Sequence, residues 1–189
     1  MRVVFCLLVA VLSTLTLAWT DVANAASEES MAPSGGTFPK LTASNLEKQT
    51  LTLPEDFAGQ RNLLLIAFQR EQQRNVDTWL QEMKRFDWAP DFWYYELPTI
   101  DKLNPVARWF INSGMRRGIP DRDARARTIT LYLDKSSFRK VLNLPDEKQI
   151  YAVLVDRSGR VLWRAAGDFD EAKAASLEIA LRRNIDGPR

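Results

Sequence analysis

A polar turn is the first place in this sequence where side chains could do chemistry. Residues 63–68 (LLLIAF) form an apolar run of strand length, and a helical pattern begins directly behind residues 69–73 (QREQQ). A turn at the C-terminal end of a central strand faces the crevice in which open α/β sheets bind ligands. The turn is therefore predicted to bind a peptide backbone or a carboxylate, and a polar helix start with no partner is the alternative. The candidate residues are Arg70, Glu71, Gln72, Gln73 and Arg74.

The side chains that most often carry catalysis are nearly absent. The 189 residues contain no histidine and one cysteine, Cys6, which lies in a segment predicted to be removed. Without a thiol there is no disulfide exchange, peroxide reduction or thiolate metal site, and without imidazole the usual acid–base group is missing. Glu71 and Asp77 are six residues apart, on opposite sides of the predicted helix, so they do not predict a carboxylate pair. We therefore expect a protein that is not an enzyme and has no cofactor or metal.

The first 37 residues are predicted to lie outside the folded domain. Residues 1–25 have the layout of a secretory signal peptide, with Arg2, an apolar run over residues 3–18 and a small-residue exit at residues 23–25 (ANA). An uncleaved anchor is the alternative, although the run is short of the about 20 residues that span a bilayer. Residues 26–37 are predicted to be a flexible tether and residues 38–189 one domain. We expect a periplasmic or secreted protein, and a net charge of +2 does not predict nucleic-acid binding.

Strand and helix patterns alternate along this domain. Residues 40–43 and 50–53 predict an N-terminal hairpin, residues 63–68 a strand covered on both faces, residues 76–86 a helix with an inward apolar stripe, and residues 92–97 an aromatic strand. A second helix is predicted to begin at the cap Asn104, with Pro105 in its first turn and Val106, Trp109, Phe110 and Met115 at helical spacing.

The remaining elements complete an α/β order. Residues 128–133 predict a strand, Asp134 caps a short helix, and residues 150–165 predict a β-hairpin. Asp168 is predicted to cap the last helix, whose apolar side is formed by Leu177, Ile179, Ala180 and Leu181. Strands that alternate with helices, followed by a late hairpin, predict a central mixed β-sheet flanked by helices.

Two further segments are candidates for partner contact. Trp88, in a loop beside Pro90, is the aromatic residue of this region predicted to remain exposed, and an exposed Trp is a typical interface anchor. Residues 115–127 (MRRGIPDRDARAR) predict a basic loop that meets anionic lipid headgroups or an acidic partner, with a solvated loop as the alternative. The predicted contact set adds to the turn the residues Trp79, Trp88, Arg116, Arg117 and Arg122.

The element order and two longer segments resemble thioredoxin-like proteins. FPKLTASNLEKQTLTLPEDFAGQRNLLLIAF at residues 38–68 is similar to the opening of the redoxin branch, which includes peroxiredoxins and membrane-tethered thiol reductases, and YAVLVDRSGRVLWRAAG at residues 151–167 is similar to its closing hairpin. The resemblance implies a thioredoxin-like fold. Redox-active members begin the helix after the first long strand with a cysteine and place a cis-proline before the closing hairpin. Residues 70–76 and Ile150 stand at those places here, so the resemblance implies a redox-inactive member.

Shorter segments are similar to the mitochondrial ATP synthase assembly factor family, which helps a membrane-embedded proton-channel subunit to assemble. They are RNVDTW (74–79), FINSGMRRGIP (110–120), SFRKVLN (137–143) and the closing hairpin (151–167). This resemblance implies a chaperone-like role without catalysis. The leading hypothesis is thus a binding module or assembly factor for a membrane protein complex. A peptide or small-ligand carrier and a redoxin-like enzyme with changed chemistry are the alternatives.

Overall fold

The computed structural model describes residues 35–183. At their centre is a seven-stranded mixed sheet in the order β2-β1-β5-β4-β3-β6-β7. Strand β4 runs parallel to β3 and β5, and the other neighbours are antiparallel. The predicted α/β architecture with an N-terminal hairpin is confirmed. The strands are β1 (Leu41–Asn45), β2 (Thr50–Leu53), β3 (Arg61–Ala67), β4 (Phe92–Ile100), β5 (Ile129–Tyr132), β6 (Tyr151–Asp156) and β7 (Val161–Ala166).

Helices cover both faces of this sheet. The predicted order of strands and helices is confirmed, with one addition: a short helix, α3, lies in the segment that the sequence predicted to be a basic loop. The α-helices are α1 (Gln73–Leu80), α2 (Pro105–Gly118), α3 (Arg122–Arg127), α4 (Lys135–Val141) and α5 (Glu171–Arg183), and 3-10 turns lie at Arg70–Gln72 and Met83–Phe86.

Strand β3 is buried on both faces, as its continuous apolar sequence predicts. On one face, its side chains join a core with Phe57, Phe138 and Tyr151. On the other face they join a second core that contains Trp79 of α1 and Leu177 of α5. The polar turn after β3 is therefore attached to the most deeply buried strand of the described chain.

This second face of the sheet changes character across its width. Under α1 and α5 it is apolar, with Leu63 and Leu65 buried in the core. Residues that pair across neighbouring strands point to the same face of the sheet. Leu65 pairs with Glu96 of β4, and Glu96 pairs with Thr128 just before β5, so these three residues share this second face. From Glu96 across β5 to β1 this face carries polar side chains. They are Thr42, Ser44, Glu96, Thr128, Thr130 and Tyr132.

Helix α2 lies over this polar half and turns polar side chains toward it. Asn112 accepts a hydrogen bond from the Tyr132 hydroxyl at 2.8 Å, and the Arg108 guanidinium carbon lies 5.0 Å from the centre of the Tyr132 ring. Asn104 caps the helix as predicted, since its side chain accepts a hydrogen bond from the Ala107 amide. A polar sheet surface thus selects the polar side of the helix.

The apolar stripe of α2 faces solvent. Val106 is 73% exposed, Trp109 66% and Phe110 67%. The predicted helix is confirmed, but these three apolar residues lie outside both cores of the described chain. Met115, the fourth residue of the predicted stripe, is half-buried instead, and its sulfur lies 4.0 Å from the Thr130 hydroxyl. The contrast with α1, whose Val76 and Trp79 are buried as predicted, arises from the different surfaces beneath the two helices.

Two details of the last helix differ from the prediction. Its cap is Asp170 rather than Asp168, because the Asp170 carboxylate accepts a hydrogen bond from the Lys173 amide at 2.8 Å. The Asp168 carboxylate instead accepts a hydrogen bond from the side chain of Asn75 in α1. Ile179 is 41% exposed rather than part of the apolar side, since it lies on the outer surface of α5.

The predicted signal peptide at residues 1–25, and the tether up to residue 34, lie outside the described residues. The last residues of the tether belong to the fold: the Gly36 carbonyl accepts a hydrogen bond from the Val161 amide, and Thr37 bridges to Arg160. Within residues 35–183, no helix combines the length and the apolar character that crossing a bilayer requires.

Candidate binding surface

The polar turn after β3 is closed by the side chain of Gln72. This residue is 5% exposed, and its Oε1 accepts hydrogen bonds from the amides of Phe68 at 2.8 Å and Gln69 at 3.2 Å. The strand-to-helix turn would otherwise leave these backbone donors without partners. Gln72, which was predicted to contact a partner, is therefore occupied within the fold.

The turn is also joined to the loop that precedes β6. Gln72 Nε2 donates to the Glu147 carbonyl at 2.8 Å, and Gln69 Nε2 donates to the same oxygen at 3.2 Å. The Glu147 carboxylate in turn pairs with Lys135 at 2.7 Å and Arg139 at 3.2 Å. The Lys135 ammonium holds the pKa of the Glu147 carboxyl below its ordinary value. These contacts fix the position of the turn relative to α4.

A buried carboxyl group lies beneath the start of α1. Glu96, in β4, is 8% exposed, and burial raises its pKa above the ordinary value. Its oxygens accept hydrogen bonds from Gln73 Nε2 at 3.2 Å and from the Thr128 hydroxyl at 3.4 Å. Asp77 raises the pKa further, while Arg127 lowers it. Glu96 is not apparent as a site residue from the sequence, because the aromatic run around it predicts only a strand.

Four of the predicted turn residues remain at the surface. Arg70, Glu71, Gln73 and Arg74 are exposed, although Gln73 also donates to Asp77 at 3.1 Å. The turn therefore presents two guanidinium groups, a carboxylate and an amide on a base fixed by hydrogen bonds. Such an arrangement can bind a peptide backbone or a carboxylate without first becoming ordered, which lowers the entropic cost of binding.

Trp79 cannot contribute to a contact surface in this structure. Its side chain is 0% exposed and lies at 5.2 Å from Phe169 and 6.1 Å from Trp163, measured between ring centres. Its indole N–H donates to the Gly167 carbonyl at 3.0 Å. The structure therefore removes Trp79 from the predicted contact set: this residue belongs to the core, as its place on the apolar stripe of α1 predicts.

Of the other predicted contact residues, Trp88 lies at the opposite edge of the sheet from the turn. Trp88 precedes β4, whose first residue pairs with the first residue of β3, whereas the turn follows the end of β3. Arg116 donates to the Leu46 carbonyl, beside the start of β5, which is level with Leu65 near the end of β3 but two strands away from it. Seven residues of β3 separate the two edges, or about 20 Å. Trp88 is thus remote from the turn along the strands, whereas Arg116 is displaced from the turn sideways across the sheet.

Most arginines of the predicted basic loop are held by the fold. Arg125 and Arg122 both pair with Glu47, Arg122 at 3.3 Å. The Arg127 guanidinium carbon lies 4.8 Å from the centre of the Tyr94 ring. Arg117 is exposed. A freely solvated basic loop is therefore not observed; these side chains attach α3 to the sheet and the N-terminal hairpin.

Solved structures with the same architecture are similar to this chain at low sequence identity. A protein of Aquifex aeolicus VF5 assigned to electron transfer matches with a TM-score of 0.56 and 9% identity, over 78% of this chain and 96% of that one. The thioredoxin domain of a thiol-disulfide oxidoreductase from Bacteroides vulgatus matches with a TM-score of 0.50 and 14% identity, over 78% and 97%. An exposed lipoprotein thioredoxin from Streptococcus pneumoniae matches with a TM-score of 0.50 and 12% identity, over 76% and 99%. The chain has a thioredoxin-like fold.

No protein-family model and no curated protein sequence matches this thioredoxin-like chain. The similarity therefore rests on three-dimensional structure, and at these identities it establishes the fold alone. The narrower sequence resemblance to the ATP synthase assembly factors receives no support from these matches.

A cavity lies between α2 and the polar half of the sheet. Its volume is about 230 Å³, and it is lined by β1, β5 and two side chains of α2, Arg108 and Asn112. Sites for drug-sized molecules usually measure about 300–1,000 Å³ and are mostly apolar. The cavity is smaller and more polar than that, so it does not favour the alternative hypothesis of a small-ligand carrier. Among residues 35–183, no cluster of three or more Asp and Glu side chains could hold a metal ion.

Proposed function

We propose that this thioredoxin-like domain is a non-catalytic, redox-inactive binding module that acts on a membrane protein complex as an assembly factor or chaperone. The observation that carries the proposal is the turn after β3, the place where redox-active relatives carry a cysteine. Here the buried Gln72 side chain fills that turn and bonds the amides of Phe68 and Gln69. Residues 35–183 contain neither cysteine nor histidine, so the turn is built to hold its shape and has no nucleophile.

The contact surface that we propose is the exposed part of this turn. Arg70, Glu71, Gln73 and Arg74 share it, and it lies at the C-terminal ends of the parallel strands, where open α/β sheets bind their ligands. Two arginines beside one glutamate favour an extended segment that carries a carboxylate, because guanidinium groups bind carboxylates in a bidentate manner. Trp88, at the opposite edge of the sheet, is excluded from this surface by its distance.

The nature of the partner rests on the sequence resemblance described above. The four segments shared with the mitochondrial ATP synthase assembly factors make the membrane subunits of an ATP synthase the first candidates. A location outside the cytoplasm is supported by the signal-peptide pattern at residues 1–25, and one structural neighbour is an exposed lipoprotein. A redoxin-like enzyme with changed chemistry is less well supported, because Glu96, the buried carboxyl group near the turn, is already bound by Gln73 and Thr128.

Crosslinking in membranes tests this proposal. The tagged full chain is crosslinked gently, recovered, and its partners are quantified by mass spectrometry. We expect subunits of one membrane complex to be recovered, and we expect the double variant Arg70→Ala/Arg74→Ala to reduce that recovery at least tenfold.

The matched control is the double variant Trp88→Ala/Arg160→Ala, which removes an exposed tryptophan and an exposed arginine at the opposite edge of the sheet. It should recover the same subunits as the unchanged chain. Loss of recovery in this control, but not in the turn variant, would place the contact at the other edge and contradict the proposed surface. Recovery of the protein alone would contradict the proposed function.

A further inference from the structure

Helix α2 displays an apolar stripe that no other described part of the chain covers. Val106, Trp109 and Phe110 are the most exposed large apolar side chains among residues 35–183. Trp109 and Phe110 follow Val106 by three and four residues, which places all three on one side of the helix. Gly114, four residues after Phe110, continues the same side, and a side chain added there would meet nothing within 4 Å. The stripe is therefore continuous over about two turns of helix.

The stripe cannot be buried by a small rotation of the helix. The sheet surface beneath α2 is polar, and the Asn112–Tyr132 hydrogen bond fixes the inward side of the helix. A rotation that buried Trp109 would break this hydrogen bond and remove the Arg108 guanidinium from the Tyr132 ring. The outward orientation of the stripe is thus a stable property of the fold.

The charge of α2 has one sign. The helix contains Arg108, Arg116 and Arg117 and no acidic residue. Arg117 is exposed and follows Gly114 by one turn, so it lies at the C-terminal end of the stripe. An apolar stripe that ends in a cationic group is complementary to a surface that is apolar inside and anionic at its boundary.

The area of the stripe decides between a second protein and a membrane. A fully buried Trp or Phe contributes about 150–250 Å², so the two rings, about two-thirds exposed, offer roughly 270 Å². A stable protein interface buries about 800 Å² on each partner. A second copy would also bring two acid-free, arginine-bearing helices together. A bilayer requires no such area, because single Trp and Phe side chains enter the boundary between headgroups and acyl chains while arginines bind the headgroups.

We propose that the apolar stripe of α2 (Val106, Trp109, Phe110 and Gly114) docks this protein on an anionic membrane surface. The helix would lie in the plane of the interface, with the stripe facing the acyl chains and Arg117 among the phosphates. This surface is separate from the turn after β3 and does not depend on the identity of the protein partner. A membrane-docked domain would leave the turn free to bind a protein segment.

A fluorophore on the stripe tests the proposal. The full chain with Cys6→Ser and Gly114→Cys carries an environment-sensitive label at position 114 and is mixed with vesicles of phosphatidylglycerol and phosphatidylcholine. We expect the emission to shift to the blue and to rise severalfold. The same label at Ser136→Cys, which is exposed on α4 at the opposite face of the sheet, should not respond.

Two variants check the chemistry of the contact. Trp109→Ala/Phe110→Ala should abolish the response of the label at position 114. Arg117→Gln should weaken vesicle binding about fivefold, as expected for one basic residue near an anionic leaflet, whereas Arg160→Gln, which removes an exposed arginine of the closing hairpin, should not change it.

Three results would overturn the proposal. One is no response of position 114 to anionic vesicles, which would also follow if residues 1–34 cover the stripe. Another is an equal response to pure phosphatidylcholine. The third is a response without lipid that grows with protein concentration, which would identify a second copy as the occupant. Because none of these measurements uses the membrane complex, failure here is distinct from failure of the proposed function.

Discussion

Helices α1 and α2 occupy equivalent places in the fold, but α1 turns its apolar side to the sheet and α2 turns its polar side to the sheet. Each follows a parallel strand and lies on the same face, and each carries a tryptophan on its apolar stripe. Trp79 of α1 is fully buried, whereas Trp109 of α2 is 66% exposed. The strands beneath α1 supply Leu63 and Leu65, and the strand beneath most of α2 supplies Thr130 and Tyr132. The surface under a helix therefore decides which of its sides faces inward.

The test with the largest expected effect replaces tryptophan by alanine in each of the two helices. Trp79→Ala should lower the free energy of unfolding by about 3–5 kcal/mol, because it opens a cavity in a closed core and removes the hydrogen bond to Gly167. Trp109→Ala should change the free energy by less than about 0.5 kcal/mol, since the ring loses little contact with the domain. Urea unfolding followed by circular dichroism measures both.

Trp79→Phe serves as a milder variant that retains most of the ring volume. It should cost less than Trp79→Ala but more than Trp109→Ala. If Trp109→Ala destabilised the domain as much as Trp79→Ala, the stripe of α2 would have to be covered within the chain itself, and the contrast between the two helices would not hold.

Much of the fold follows from the sequence, because strand period, caps and turn residues are local signals. The apolar run of β3 predicts burial on both faces, and Asn104 and Asp134 predict two helix starts that the structure confirms. The alternation in β5 also shows that one of its faces is polar. Local signals do not show which helix will cover that polar face, since this depends on the order of the strands in the sheet.

The candidate site also combines features that the sequence predicts with features that depend on the whole fold. The position and polarity of the turn could be predicted, but the separate fates of neighbouring residues could not. Gln72 is buried and Gln73 is exposed, although both are glutamines at the start of a helix. Whether a side chain faces the Phe68 amide or solvent depends on the exact path of the turn and on the Glu147 loop, which is 75 residues away in the sequence.

The second test concerns how the two helices begin. Gln72→Ala should lower the free energy of unfolding by about 1–3 kcal/mol, because the buried amides of Phe68 and Gln69 lose their acceptor. Hydrogen exchange at these two amides should accelerate, while exchange at the start of α2 should not change. The control, Glu71→Ala, removes an exposed neighbour and should cost less than about 0.5 kcal/mol. An equal effect of both variants would show that Gln72 is not the residue that closes the turn.

The third test uses the carboxyl group at the boundary between the apolar and polar halves. Burial raises the pKa of Glu96, so its contribution to stability is fully present below the ordinary glutamate pKa of about 4.3 and is lost as the pH rises through the raised value. Glu96→Gln should therefore stabilise the domain at pH 8, by less than the loss in Gln72→Ala, and should have little effect at pH 4. Gln73, Asp77, Thr128 and Arg127 face this group and are left unchanged. Unfolding in urea at both pH values measures the difference.

The control for this pair of measurements is Glu71→Gln, on the exposed part of the turn, which should alter the free energy of unfolding by less than about 0.5 kcal/mol at either pH. A destabilised Glu96→Gln variant at pH 8 would mean that the charged carboxylate holds Gln73 and Thr128 better than an amide does. The charge of Glu96 would then stabilise the domain through its contacts, rather than destabilise it through burial.

The smallest expected effect concerns the polar contact that orients α2. Tyr132→Phe removes the hydroxyl that donates to Asn112 and should lower the free energy of unfolding by about 0.5–1.5 kcal/mol. The more informative measurement is local: hydrogen exchange should accelerate along α2 and stay unchanged along α1, because the lost contact orients α2, whereas α1 packs on the sheet through Val76 and Trp79. If exchange along α2 did not change, its orientation would depend on the loops at its ends, and the polar surface of β5 would not be the reason that Trp109 faces outward.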